Sequence, residues 1–309
     1  MVARHEPHDL AQMQSLPLEA KIIMTQQRIR QWYDYWDDQV YVSFSGGKDS
    51  TVLKHLVETT SGVYDVPSVF VNTGLEYPEV RMFATSQPNV TVLSPKLRFD
   101  QVIEKYGYPV VSKEQAAFIQ EYRTTNSEKL KQIRLHGNKY GRGRISKKWL
   151  PLIDAPFKIS DKCCDIMKKN PVKQYEKETN RKPIIGTMAY ESAQRRSNWQ
   201  MYGCNAFSKK RPTSQPMSFW TEQDVLEYLV RFNLPYASVY GEIKQDENGL
   251  YYTTGLDRTG CMFCMFGCHL EKEPNRFQRM KNTHPKQYAY CMDNLGLREV
   301  LDFIHVPYE

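Results

Sequence analysis

Residues 45–50 read Ser-Gly-Gly-Lys-Asp-Ser, two glycines followed by a cation and a carboxylate, with a hydroxyl at each end. The glycines permit backbone conformations and close approaches that a Cβ would block. Lys48, Ser45 and Ser50 add charge and hydrogen bonds suited to phosphate oxygens. The spacing is not that of G-x-x-x-x-G-K-[ST]. A second set of reactive groups is the thiols. Cys163 and Cys164 are adjacent, Cys261, Cys264 and Cys268 fall within eight positions, and Cys204 and Cys291 bring the total to seven. An odd count argues against a disulfide framework, and the clustering points to metal or redox chemistry. A third set is Glu191, Ser192, Arg195 and Arg196. Arginine's planar fork binds two oxygens of a tetrahedral anion at once.

These groups need elements to hold them. Val40, Val42 and Phe44 alternate as in a buried strand, and the 45–50 turn leads into Val52, Leu53, Leu56 and Val57 at helical spacing. Strand, glycine turn and helix start aim backbone N–H groups and a positive dipole end at an anion. Further strands are expected at 66–73, 90–93 and 183–188, and helices at 18–37, 99–106, 115–135, 165–179 and 221–232, the last capped by Thr221. The first 17 residues read as a loosely packed arm, 235–256 as loop, and 274–304 as mostly helical. Alternating strands and helices define an α/β fold, a doubly wound, mostly parallel sheet followed by a cysteine-rich helical C-terminal region. In such sheets ligands sit beyond the carboxyl ends of the strands, where 45–50 and 72–79 both fall. The expected division is an N-terminal arm and helix (1–37), the sheet domain (38–235) and the cysteine-rich region (236–309).

The chain has 309 residues and a formal charge of +7, a mild bias toward anionic partners. No apolar run is long enough to span a bilayer and no secretory signal opens the chain, so a cytoplasmic protein without a membrane partner is expected. Basic residues concentrate in 122–150, where nine Lys/Arg stand against the single carboxylate Glu128. Glycine, arginine and aromatics mixed there suit a flexible loop that meets phosphates of a nucleotide or a nucleic acid, or a solvated basic face.

Several separated motifs resemble, in order, those of the phosphoadenosine and adenosine phosphosulfate reductases, within the adenine nucleotide alpha-hydrolase superfamily. S-G-G-K-D-S is similar to its pyrophosphate loop. V-F-V-N-T-G-L-E-Y-P-E is similar to its D-T-G-x-x-[FY]-P-E segment, with Asn72 in place of aspartate. I-I-G-T-M-A-Y-E-S-A-Q-R-R resembles G-x-R-x-x-[EQ]-S-x-x-R, with Met188 in place of arginine. P-M-S-F-W-T-E-Q-D-V-L-E-Y-L and N-L-P-Y extend the match, and K-C-C-D-I-M-K-K-N-P with T-G-C-M-F-C resembles the iron–sulfur branch.

The resemblance implies an adenine nucleotide, ATP or a sulfonucleotide, held by Ser45, Gly46, Gly47, Lys48, Asp49, Ser50, Asn72, Thr73, Gly74, Glu191, Ser192, Arg195 and Arg196. Lys48 and Asp49 would act in catalysis, Asp49 by orienting a protonated or metal-bound phosphate, Mg2+ included. It implies a [4Fe–4S] cluster on Cys163, Cys164, Cys261 and Cys264. Zinc accepts the same thiolates, or three of them with His269, and the 261–264–268 trio with Cys163, Cys164 or Cys204 is another set of four.

One departure bears on mechanism. The reductases carry a nucleophilic cysteine in a C-terminal E-C-G-[IL]-H segment, whereas this chain ends in L-D-F-I-H-V-P-Y-E. Cys268, beside His269, and Cys291 are the substitutes. Sulfonucleotide reduction with a thioredoxin-like reductant is therefore one expected function. The others are ATP cleavage to AMP and pyrophosphate that activates a nucleic acid for sulfur insertion, and nucleotide binding without turnover in a regulator.

Overall fold

The computed structural model describes residues 4–6 and 8–309. The chain divides into two compact units. The first comprises Met1–Asn72, Glu76–Leu93 and Val172–Thr259, the second Thr73–Leu75, Ser94–Pro171 and Gly260–Glu309. The division differs from the expected boundary after residue 235: 236–259 stays with the first unit, and 94–171 joins the cysteine-rich C-terminal segment. A two-stranded parallel pair, Val110–Val111 with Met265–Phe266, ties those distant segments together.

The first unit is built on a six-stranded sheet. Its strands are β1 (Val40–Ser43), β2 (Ser68–Val71), β3 (Val90–Leu93), β4 (Lys182–Ile185), β5 (Asn205–Ala206) and β6 (Thr213–Ser214), in the spatial order β3-β2-β1-β4-β6-β5. All neighbours are parallel except the short edge pair β5–β6. The alternation in β1 divides its side chains between two cores. Val40 and Val42 join the large cluster with Trp32, Leu53 and Trp220, and Tyr41 packs with Val69 and Tyr175. A strand buried on both faces is what the doubly wound expectation requires. The chain leaves β1 toward β2 on one side, and β4 lies on the other. The crevice between the ends of β1 and β4 is thus the point where the winding reverses, the usual ligand position in such sheets.

Helix Leu18–Tyr35 buries Leu18, Lys21, Thr25, Ile29 and Trp32, one stripe at three- and four-residue steps. The segment expected to be a loose arm contains helix Asp9–Gln14, because Leu10 finds a place in the large core. The stretch expected as loop holds an antiparallel hairpin, Ile243–Gln245 with Tyr251–Thr253.

In the second unit the helix expected at 115–135 is two, Lys113–Thr124 and Glu128–His136, because the Ser127 hydroxyl accepts the Leu130 N–H and starts a new helix. Residues 165–169 form a π-helical turn ahead of helix Asn170–Thr179. Helices Arg276–Thr283, Pro285–Ala289 and Leu297–Phe303 make the C-terminal segment mostly helical. Among the described residues no helix is long and apolar enough to cross a membrane.

Candidate functional site

Helix Lys48–Glu58 starts directly after β1 and its glycine turn, with Gly47 as N-cap. Serine hydroxyls close the turn. Ser50 Oγ donates to Gly47 O at 2.9 Å and accepts the Ser45 N–H at 3.1 Å, while the Gly47 N–H reaches Ser45 Oγ at 3.3 Å. Gly46 has φ +74°, and a Cβ there would lie 2.9 Å from the Val80 carbonyl oxygen. Gly186, just past β4, likewise lets that strand end approach helix Lys48–Glu58, since its Cβ would meet Asp49 O at 3.0 Å. Both glycines are demanded by backbone packing at the sheet crevice.

A cavity of about 190 Å³ opens at this crevice, lined by Ser45, Gly47, Lys48, Asp49, Met188, Tyr190, Glu191, Glu222, Tyr240, Asp257, Arg258 and Thr259. Lys48 is only 5% exposed, and its ammonium lies 3.3 Å from Glu222 Oε1 and 5.1 Å from the Tyr240 ring centroid. Tyr240 is buried and shares a 2.7 Å hydrogen bond with Thr259 Oγ1. Burial raises the Asp49 carboxyl above the usual range, against the pull of Lys48, Arg258 and Arg195 and with a further push from Glu222. Glu191 accepts the Met188 N–H at 3.1 Å and is shared by two guanidiniums, Arg195 and Arg258, the latter at 3.3 Å. Burial and then the Arg258 charge hold Arg195 below its ordinary range.

The expected nucleotide residues divide. Ser45, Gly47, Lys48, Asp49 and Glu191 line one cavity, Gly46 and Ser50 shape its turn, and Arg195 reaches it through Glu191. Ser192 instead caps helix Ala193–Tyr202 through the Arg195 N–H, and Arg196 is exposed on that helix. The Asn72 N–H bonds Leu93 O at 2.8 Å; Thr73 and Gly74 belong to the second unit, where Thr73 Oγ1 accepts the Leu75 N–H. Sequence reasoning missed Tyr190, Glu222, Tyr240, Asp257, Arg258 and Thr259. The usable signal for Tyr190, Glu222 and Thr259 was their place inside motifs already quoted, whereas Tyr240, Asp257 and Arg258 lie outside them.

In the second unit all the cysteines named as ligands are free thiols. Burial pushes Cys163 well up, and Cys164, Cys261 and Cys264 push it further, so the four lie near enough to feel one another's charge. Lys168 and Arg276 act in the opposite sense on Cys264. Among the described residues, however, no group of three or more Cys, His, Asp or Glu is gathered to hold a metal ion. The expected ligand set therefore stands as neighbouring thiols, with burial raising Cys163 and Cys264. By donor chemistry these residues fit an iron–sulfur cluster or zinc.

Cys268 and Cys291 do not present themselves as nucleophiles. Each is buried, donates its S–H to a carbonyl (Met265 and Tyr288, respectively) and is pushed by burial to about 12. The His269 ring stands edge-on to Trp149, and burial lowers its affinity for a proton.

A parallel sheet with a glycine turn at its reversal point defines an α/β fold of the nucleotide-binding class. The chain belongs to the phosphoadenosine phosphosulfate reductase domain family, which it matches over residues 39–266. It is 26% identical over 261 residues to an uncharacterized protein of Methanocaldococcus jannaschii, covering 84% of this chain and 42% of that relative, so it spans under half of the relative's length. Among solved structures it is similar to the phosphoadenylyl-sulfate reductase of Candida auris in a phosphate complex (15% identity, TM-score 0.39, 81% of this chain and 100% of that one). It is also similar to the FMN adenylyltransferase of Candida glabrata in complex with ATP (11% identity, TM-score 0.42, 75% of this chain and 64% of that one).

Proposed function

We propose that this chain is an enzyme that binds ATP, as its divalent-metal complex, in the cavity at the β1–β4 crevice and cleaves it to AMP and pyrophosphate to activate an acceptor. The observation that carries this reading is the charge of the lining. Four carboxylates, Asp49, Glu191, Glu222 and Asp257, face two lining cations, Lys48 and Arg258, with Arg195 behind Glu191 as a third. A bare polyanion is repelled by such a wall. A magnesium polyphosphate is not, because Mg2+ is typically held by one or two carboxylates together with the substrate's phosphates. The turn's backbone N–H groups and Lys48 would take the phosphate oxygens. The acceptor's nucleophilic atom forms a bond to the α-phosphorus as the bond to the bridging oxygen breaks. The electron pair leaves on pyrophosphate, whose charge Lys48 and Arg258 offset, and the acceptor's proton passes to solvent, so the acceptor is left adenylylated; AMP departs with its bonding electron pair when a sulfur nucleophile then displaces it from the acceptor.

Sulfonucleotide reduction is the alternative within the family, and it calls for an accessible thiolate. The buried, protonated state of Cys268 and Cys291 speaks against it and removes the need for a thioredoxin-like partner. Cys163, Cys164, Cys261 and Cys264 are proposed as thiolate ligands of a [4Fe–4S] cluster, which would supply electron or sulfur chemistry when bound. Their part in this chain is to offer four soft donors beside Lys168 and Arg276, whose charges favour thiolate over thiol.

The deciding experiment incubates the protein with ATP and Mg2+, or with adenosine phosphosulfate and a dithiol, and assays pyrophosphate and sulfite. Pyrophosphate with Mg2+-dependent ATP binding is expected. Sulfite release without ATP would replace this reading with the reductase one. For the cluster, anaerobic protein should carry about four irons per chain, and colourless protein with stoichiometric zinc would assign the thiols to zinc instead.

A further inference from the structure

Eight Lys/Arg and no Asp/Glu occur in residues 129–153. The structure separates those that build the fold from those that do not. Outside that stretch, Arg123 donates to the carbonyls of Leu152, Ile153, Ala155 and Phe157, and so serves as a half-buried fastener. Arg134 pairs with Glu121, bonds Gly143 O and stacks on Phe118 at 4.2 Å. Lys131 is 3.0 Å from Glu128. Lys129 is exposed on helix Glu128–His136, ahead of the loop. Lys139, Arg142, Arg144, Lys147 and Lys148 are different. All five are exposed, and among the described residues none pairs with a carboxylate. Tyr140 stands among them, 71% exposed.

The loop that carries Lys139, Arg142 and Arg144 is closed by hydrogen bonds, and Lys147 and Lys148 open the short helix Lys147–Asp154 that follows it. Asn138 Oδ1 accepts the N–H groups of Tyr140 and Arg142, the Asn138 N–H bonds Arg142 O at 2.8 Å, and the Ile145 N–H bonds Arg134 O at 2.7 Å. Gln115 on the neighbouring helix accepts the Ser146 N–H at 2.8 Å. Five cations at fixed spacing on this segment repel one another and have no carboxylate to offset them; Lys139 lies 4.9 Å from the Tyr140 ring centroid and Lys148 4.7 Å from that of Trp149, contacts that leave their charge unneutralised. An anion with regularly spaced charges removes that cost.

We infer that the 137–148 loop is a binding surface for single-stranded nucleic acid. The cations would meet successive phosphates while Tyr140 offers a face on which an unpaired base stacks. The inference deepens the proposed ATP-driven reading by naming the acceptor's class, but binding itself does not depend on ATP cleavage.

The test uses the full chain and fluorescent 20-mers of U and of dT, a duplex of the same length, and phosphatidylserine vesicles. The 20-mers should bind, with log affinity falling against log salt at a slope near ~3.5 for five phosphate contacts, which is about a hundredfold between 50 and 200 mM. Replacing all five cations by glutamine should abolish that slope while ATP binding stays at the wild-type value. Tyr140→Ala should cost about fivefold or more, by loss of stacking, and leave the slope unchanged. Preference between the U and dT strands identifies RNA or DNA. The inference is overturned if the wild-type chain fails to bind either 20-mer at 50 mM salt, if the five-fold glutamine variant binds as well as wild type, or if the duplex or vesicles bind more tightly than the single strands. Lys48→Ala separates the two claims: it should lose ATP and keep the 20-mer, so failure of either leaves the other readable.

Discussion

Lys48 Nζ lies 3.3 Å from Glu222 Oε1, joining the turn after β1 to the first residue of a helix 174 positions further on. The pair holds a nearly buried ammonium at the wall of the cavity, and Glu222 stands where a phosphate oxygen would compete for it. Lys48→Ala should therefore weaken ATP binding by about 1.5–3 kcal/mol, roughly tenfold to a hundredfold or more, as for loss of a charge-assisted hydrogen bond. Glu222→Gln should preserve binding and make it less dependent on Mg2+, because one carboxylate has left the wall. Titration calorimetry with and without Mg2+ checks both. Unchanged affinity in Lys48→Ala would end the assignment of this turn to phosphate.

Asp49 gives a pH signature. Its carboxyl is raised above the ordinary value by burial, so between the unfolded and folded pKa values the folded chain binds the extra proton. The stability this confers is fully present below the unfolded pKa and is lost as pH rises through the folded one. Asp49→Asn should accordingly melt at a higher temperature than wild type at pH 7. The gap should shrink on acidification, while ATP cleavage is lost. A variant that melts lower than wild type at pH 7 would show that Asp49 is held mainly by its cationic neighbours.

The strand pattern, the glycine turn and the Thr221 cap were legible because each depends on residues close in sequence. Thr221 Oγ1 accepts the Asp224 N–H as the cap pattern requires. What stayed hidden depends on tertiary neighbours. Tyr240, Asp257 and Arg258 carry no motif; Tyr240 lies just before the hairpin and Asp257 and Arg258 just after it, and the two flanks of the hairpin meet at the sheet crevice. Arg123 and Arg144 look alike in sequence, yet one is enclosed by four carbonyls and the other is exposed. The break at Ser127 was readable in principle, since Ser-Glu is a helix-start pair, but the apolar pattern runs through it.

Cys268 and Cys291 supply a negative prediction. Burial pushes both thiols up to about 12, so at neutral pH neither is a thiolate. Cys268→Ser with Cys291→Ser should leave pyrophosphate release within about twofold of wild type. Reaction of the native chain with one equivalent of a thiol reagent should spare these two positions, as peptide mapping would show. Loss of turnover in the double variant with its fold intact would restore one of them as nucleophile.

Lys21 links stability to the site. It is 2% exposed, and its ammonium bonds both oxygens of Asp224 at 2.7 Å. Asp224 in turn accepts the Thr221 N–H and hydroxyl, at 2.6 and 2.8 Å, at the start of helix Glu222–Arg231. Truncating one partner leaves a buried charge without its counter-ion, which typically costs about 3–5 kcal/mol. Lys21→Met should lose that much in urea unfolding, far more than removal of the exposed pair partner Arg30. Because the same capped helix begins with Glu222, the variant should also bind ATP less tightly while still folded, and Lys21→Arg should recover part of both. A loss below about 1 kcal/mol would mean that the cap at Thr221 satisfies Asp224 without Lys21, and that the helix bearing Glu222 is positioned by its apolar face alone.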